Sequence, residues 1–222
     1  MSATAFEHIL FDLDGTLTDP FLGITRSVQY ALAHFGIAVE DLRALTCFIG
    51  PPLLDSFQQF YGFSRERAKE AVEWYREYFR DTGIYENAVY DGIPQLLTDL
   101  TAAGRKLYLA TSKPQVFAER ILEHFHLRTY FTGIYGSYLD GSRCRKAEVI
   151  AAVLNEVPSS ASAVMVGDRV HDAEGARETG IPCIGAAYGY GGAIELQQAG
   201  VQRIVASVHE LAQCLLEGNM DC

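Results

Sequence analysis

The chain has 222 residues, enough for one large domain or a core carrying an insertion. With 49% hydrophobic and 21% charged residues it fits an ordinary folded globule, neither disordered nor fibrous. A net charge of −10, with no Lys/Arg-rich run, argues against a nucleic-acid polymer as partner, because a chain of that sign repels a phosphate backbone.

The start, MSATAFEHIL, lacks the basic residues and long apolar stretch of a signal peptide. No apolar run approaches the roughly eighteen residues that would suggest a membrane span. The cysteines, Cys47, Cys144, Cys183, Cys214 and Cys222, are odd in number and scattered, without C-x-x-C spacing. The expectation is a cytoplasmic protein with reduced thiols, no membrane association and no zinc site.

In chain order, Ile9-Leu10-Phe11 reads as the end of a buried strand. FDLDGTLTDP follows, with Asp12, Asp14 and Asp19 close together and a sharp turn at Gly15. A calcium loop counted from Asp12 would need glycine at its sixth position and glutamate at its twelfth; Leu17 and Gly23 stand there. A solvated turn is the plain alternative to a site.

From residue 17 to about 87 the spacing predicts helices over Phe21 to Phe35, Glu40 to Cys47, Leu53 to Tyr61 and Ser64 to Arg80, with no convincing strand. In the last of these Ala68, Ala71, Val72, Tyr75 and Phe79 keep i, i+3, i+4 spacing. Gly50-Pro51-Pro52 joins two of these helices, either as a stiff connector or as a loop that selects substrate.

Past residue 90, short apolar strands alternate with amphipathic helices. The pattern predicts a strand at Lys106 to Ala110, a helix at Gln115 to Phe125, a strand at Ile134 to Tyr138 and a helix at Ala147 to Leu154. Then come strand Ala163 to Val166, helix Ala173 to Glu178 and strand Pro182 to Ala186. Further helices fall at Ala193 to Gln198 and Val208 to Leu216, around a strand at Arg203 to Ala206. Such alternation implies an α/β fold, a doubly wound and mainly parallel Rossmann-like sheet. The expected domains are an α/β core, 1–16 with 88–222, and an inserted all-helical cap, 17–87. Tyr188 to Gly192, YGYGG, fails as a dinucleotide fingerprint because Ile194 occupies the last glycine position, and reads as a loop near the mouth of a site.

In an open parallel sheet, ligands sit outside the carboxyl ends of the strands. Asp12 and Asp14 follow the first strand, Thr111-Ser112 follows KLYLA, Lys146 opens a helix, and Asp168 and Asp172 follow a strand in VMVGDRVHD. Four carboxylates in one crevice resist desolvation and raise one another's pKa, and one lysine cannot balance them. A divalent cation can. An all-oxygen ligand set points to Mg²⁺, with Asp12, Asp14, Asp168 and Asp172 as the metal residues. A phosphate dianion can then approach a carboxylate that attacks phosphorus.

DLDGT after a strand, Thr/Ser at a second strand end, a lysine opening a later helix, and GDxxxD after another strand together resemble the haloacid dehalogenase superfamily of aspartate-nucleophile phosphatases. GSYLDGSRCRKAEVI and CFIGPPLLDSF are further similar to its branch of bacterial 5′-nucleotidase-like and phosphoglycolate phosphatase-like proteins. The resemblance implies a phosphoric monoester hydrolase acting on a small phosphorylated metabolite. Asp12 would be nucleophile and metal ligand, and Asp14 general acid/base with its backbone carbonyl on the metal. Thr111, the Ser112 backbone and Lys146 would hold the phosphoryl group, Asp168 would ligate the metal, and Asp172 would orient a metal-bound water. Lys113, Gly50 and Pro51 are candidate substrate contacts. Many relatives have proline after the motif lysine; here it is Ala147, and Arg143 and Arg145 stand nearby as rival cations. A 5′-nucleotide leads as substrate, ahead of phosphoglycolate and sugar phosphates. A phosphomutase and a catalytically silent binder are the competing functions.

Overall fold

A computed structural model describes residues 6–158 and 160–218. Strand β1 (His8–Phe11) comes first. The short strands β2 (Thr18–Asp19) and β3 (Ala88–Val89) pair as a two-stranded ribbon where the chain leaves and re-enters the sheet-bearing unit. Between them lie α1 (Phe21–His34), α2 (Leu53–Tyr61) and α3 (Arg65–Asp81). There follow α4 (Ile93–Ala102), β4 (Lys106–Pro114), α5 (Gln115–His124), β5 (Phe131–Ser137), α6 (Lys146–Leu154) and β6 (Ala163–Gly167). The chain continues with α7 (Val170–Thr179), β7 (Cys183–Ala186), α8 (Gly192–Gln198), β8 (Arg203–Val205) and α9 (Val208–Glu217). Two compact units result, Met1–Thr18 with Val89–Cys222, and Asp19–Ala88.

The first unit holds a six-stranded parallel sheet in the order β5-β4-β1-β6-β7-β8. The order reverses at β1, which lies between β4 and β6 and is wholly buried. Its continuous apolar run suits a strand covered on both faces. Leu10 joins a core with Tyr108, Val149, Ile150, Met165 and Ala173. The fold is the expected one, a doubly wound α/β core with an inserted helical cap.

In the second unit the predicted face of α3 is buried: Ala68, Ala71, Val72, Tyr75 and Phe79. The Ser64 side chain caps this helix, accepting from Arg67 N–H at 3.2 Å. Phe57 is fully buried against the rings of Phe48 and Phe63.

Three local expectations need correction. The segment predicted as a helix from Glu40 is a 3₁₀ helix over Leu42–Phe48, started by Asp41 accepting from Arg43 N–H at 2.9 Å. Its Thr46, Cys47 and Phe48 are weak α-formers. The β2–β3 ribbon was not foreseen, since two-residue strands carry no period. Strand β4 runs on to Pro114 rather than ending at Ala110. A register shift between Ala110 and Pro114 and a 2.8 Å hydrogen bond from Ser137 Oγ to Ser112 O hold the extension. Lys113 is therefore in a strand.

Candidate active site

Asp12 continues the β1 ladder, donating its N–H to Val166 O at 2.9 Å. Leu13 O then accepts from Thr16, Leu17 and Thr18 N–H, which folds the acidic stretch into a tight loop. Gly15 turns that loop at φ +83°, and a β-carbon there would lie 2.2 Å from Asp168 Oδ2. Only glycine meets both demands. Phe11 pairs with Leu109 on one side and Val166 on the other, so Asp12, Thr111 and Asp168 lie toward the same end of the sheet.

Lys146 is the first residue of α6, and its ammonium is nearly inaccessible to solvent. It lies 2.9 Å from Asp12 Oδ1 and 2.8 Å from Asp172 Oδ1, and donates to Ala110 O at 3.0 Å. Burial by itself would push its pKa down, but Asp12 and Asp172 together outweigh that and hold it above its ordinary value. Lys146 is a fixed positive charge.

Arg143 and Arg145 have other partners. Arg145 extends to Glu178 at 2.7 Å on the surface. Arg143 donates to Gly136 O and Gln115 Oε1 and lies over the Tyr138 ring. Neither takes the place of Lys146. The second cation is Lys113, whose Nζ lies 2.6 Å from Asp14 Oδ2, with both side chains buried. Burial raises the pKa of Asp14, while Lys113 lowers it in opposition. Asp14 Oδ1 is buried with no hydrogen-bond partner among the described residues.

Thr111 is buried, and its Oγ1 accepts from Lys113 N–H at 3.3 Å. Ser112 lies in the same strand extension, with its carbonyl held by Ser137. Gly50 and Pro51 belong to the helical unit, between the 3₁₀ helix and α2.

Asp12, Asp168 and Asp172 each offer a carboxylate oxygen within 4.8 Å of the others, all buried. Burial raises the pKa of Asp168 well above the usual carboxylate range, and Asp172 and Asp12 add to it; Tyr190 N–H opposes. Asp172 is raised chiefly by burial, with Lys146 opposing. With Asp14, four acids face two lysines, a formal surplus of two negative charges. A close, buried, all-oxygen set with surplus negative charge fits a divalent metal. The carboxylate of Asp14 is outside this cluster.

Sequence reasoning missed Thr16, which is fully buried and donates from Oγ1 to Asp168 Oδ1 at 3.4 Å. It also missed Tyr190 N–H, which donates to Asp168 Oδ2 at 2.7 Å. The glycines around Tyr190 were the available signal.

With this geometry in view, the comparison with known proteins decides the family. Residues 9–186 match the family described as haloacid dehalogenase-like hydrolase. The chain belongs to that family. It is similar to a 5′-nucleotidase of Pseudomonas aeruginosa, 52% identical over 96% of this chain and 97% of that one. It is also 40% identical to the tyrosine-protein kinase PtkA of Mycobacterium tuberculosis, over 93% of this chain and 72% of the kinase. A crystal structure of a predicted phosphatase from Clostridium acetobutylicum superposes with a TM-score of 0.93 and 48% identity, covering 96% and 99% of the two chains. This haloacid dehalogenase-like protein is thus a hydrolase of the phosphatase type, with a buried acidic triad able to hold a divalent metal.

Proposed function

We propose that this protein is a Mg²⁺-dependent phosphomonoesterase that forms an aspartyl-phosphate on Asp12, with a 5′-nucleotide as substrate and the cytoplasm as its place of work. The observation that carries the reading is the meeting of the Asp12 carboxylate, the Lys146 ammonium and the Asp14–Lys113 pair at one end of one sheet. Asp12, Asp168 and Asp172 would hold Mg²⁺, with the Asp14 backbone carbonyl. Bound there, the ion would offset carboxylate charge and draw off charge from the phosphoryl oxygens.

In the first step an Asp12 carboxylate oxygen forms a bond to phosphorus and the P–O bond to the leaving group breaks. The departing oxygen takes a proton from Asp14. In the second step water attacks the acyl phosphate and loses a proton to Asp14, releasing inorganic phosphate and restoring the Asp12 carboxylate. Lys146 and Thr111 steady the phosphoryl oxygens, with the Ser112 backbone. Lys113 keeps the Asp14 side chain in place beside the leaving oxygen. Gly50 and Pro51 discriminate among leaving groups in this reading.

The test is a panel of 5′-nucleotides, phosphoglycolate and sugar phosphates with Mg²⁺, followed by phosphate release. The expected result is fastest hydrolysis of a 5′-nucleotide. Preference for phosphoglycolate would remove the substrate assignment, and no release from any ester would overturn the phosphomonoesterase reading.

A further inference from the structure

The segment from Tyr188 to Glu195 makes contacts that the phosphoryl-transfer steps do not use. Tyr190 N–H donates to Asp168 Oδ2, and Tyr188 Oη donates to Thr16 O at 2.9 Å. A β-carbon on Gly189 would lie 2.3 Å from Gly15 O and 2.4 Å from Asp168 Cβ. The backbone of this loop is therefore pressed directly against the Gly15–Thr16 turn and Asp168. At the end of the segment, Glu195 Oε1 accepts from Val170 N–H at 2.8 Å and from Arg169 Nε at 2.9 Å. Val170 opens α7, the helix that carries Asp172.

Buried acids within a few ångströms of one another repel; the one Lys146 ammonium cannot balance three, so without a divalent ion they gain by moving apart. A frame that holds them together before the ion arrives meets that cost during folding rather than during binding. We propose that residues 188–195 form this frame: the loop fixes Asp168, and Glu195 is a positioning residue that fixes Asp172 through the start of α7. The inference rests on the reading that Asp12, Asp168 and Asp172 hold Mg²⁺.

The experiment titrates Mg²⁺ alone into the full-length protein by calorimetry, with the Tm of each metal-free variant measured beside it. Asp168→Asn tests the underlying reading and should abolish the isotherm. Glu195→Ala tests the frame and should raise the Kd for Mg²⁺ roughly tenfold, the lower end of losses seen when partners of metal ligands are removed. Glu195→Gln keeps an oxygen to accept from Val170 N–H and should recover most of that affinity. Glu178→Ala removes a surface ion pair on the same helix and should leave the Kd unchanged. Gly189→Ala, where it folds, should weaken Mg²⁺ more than Glu195→Ala does. A merely structural role for Glu195 would lower the metal-free Tm and leave the Kd alone, and that result would overturn the proposal. An equal loss in Glu178→Ala would overturn it too. A wild type that shows no Mg²⁺ isotherm would overturn the metal reading and the frame together.

Discussion

Asp12 and Asp14 are two residues apart, yet they meet different partners. Asp12 shares the Lys146 ammonium with Asp172, which holds its carboxylate in place. Asp14 pairs with Lys113. Asp12→Asn removes the attacking oxygen, so turnover should fall to background while circular dichroism and Tm stay near wild type; comparable steady-state rates would end the nucleophile assignment. Asp14→Asn keeps the backbone carbonyl and removes the proton donor. It should cost about 10² to 10⁴ in the first turnover of an alkyl phosphate, the usual worth of general acid catalysis. On p-nitrophenyl phosphate, whose leaving group departs unprotonated, the first-turnover loss should be much smaller. Rapid-quench measurement of both alcohols checks this, and equal losses would mean that Asp14 is not the acid.

At the scale of elements, the helical unit is held by aromatic packing and the sheet by its central strand. Phe57→Ala opens a fully buried site between Phe48 and Phe63 and should cost about 3–5 kcal/mol in urea unfolding. In β1, His8 is buried beside Tyr108, the ring centroids 5.9 Å apart. Burial lowers its pKa, Lys106 lowers it further, and Glu7 opposes. The unfolded chain thus takes up the proton first, near pH 6.5. The stability contributed by the neutral ring is complete above that pH and is lost as pH falls through 6.5 toward the lower folded value. His8→Gln should flatten the fall in Tm across that window, and an unchanged slope would show that His8 does not contribute it.

For the molecule as a whole, a net charge of −10 adds to the local surplus at the triad, so a cation serves both. EDTA should stop phosphate release and Mg²⁺ should restore it. Ca²⁺, with longer bonds and a looser shell, should restore it poorly. Full turnover of metal-free protein would remove the metal from the mechanism. Among the described residues no helix is long and apolar enough to cross a membrane.

The sequence by itself determined the strand-then-acid punctuation, the helical interruption and the family motifs, because period, glycine turns and residue spacing are local properties. It also pointed to Asp12, Lys146, Asp168 and Asp172, each marked by its position next to a strand or helix end. Only the tertiary structure decided which charges meet. Lys113 read as a candidate substrate contact, and only the extension of β4 shows it against Asp14, while Arg143 and Arg145 have partners of their own. The YGYGG loop read as lying near a site, but the contacts of Tyr190 N–H and Thr16 Oγ1 with Asp168 did not, for the same reason: a backbone N–H or a small hydroxyl acquires a role only when a distant segment folds against it. Asp168 and Tyr190 are 22 residues apart and Thr16 and Asp168 are 152 apart, and no local pattern encodes a pairing across such distances.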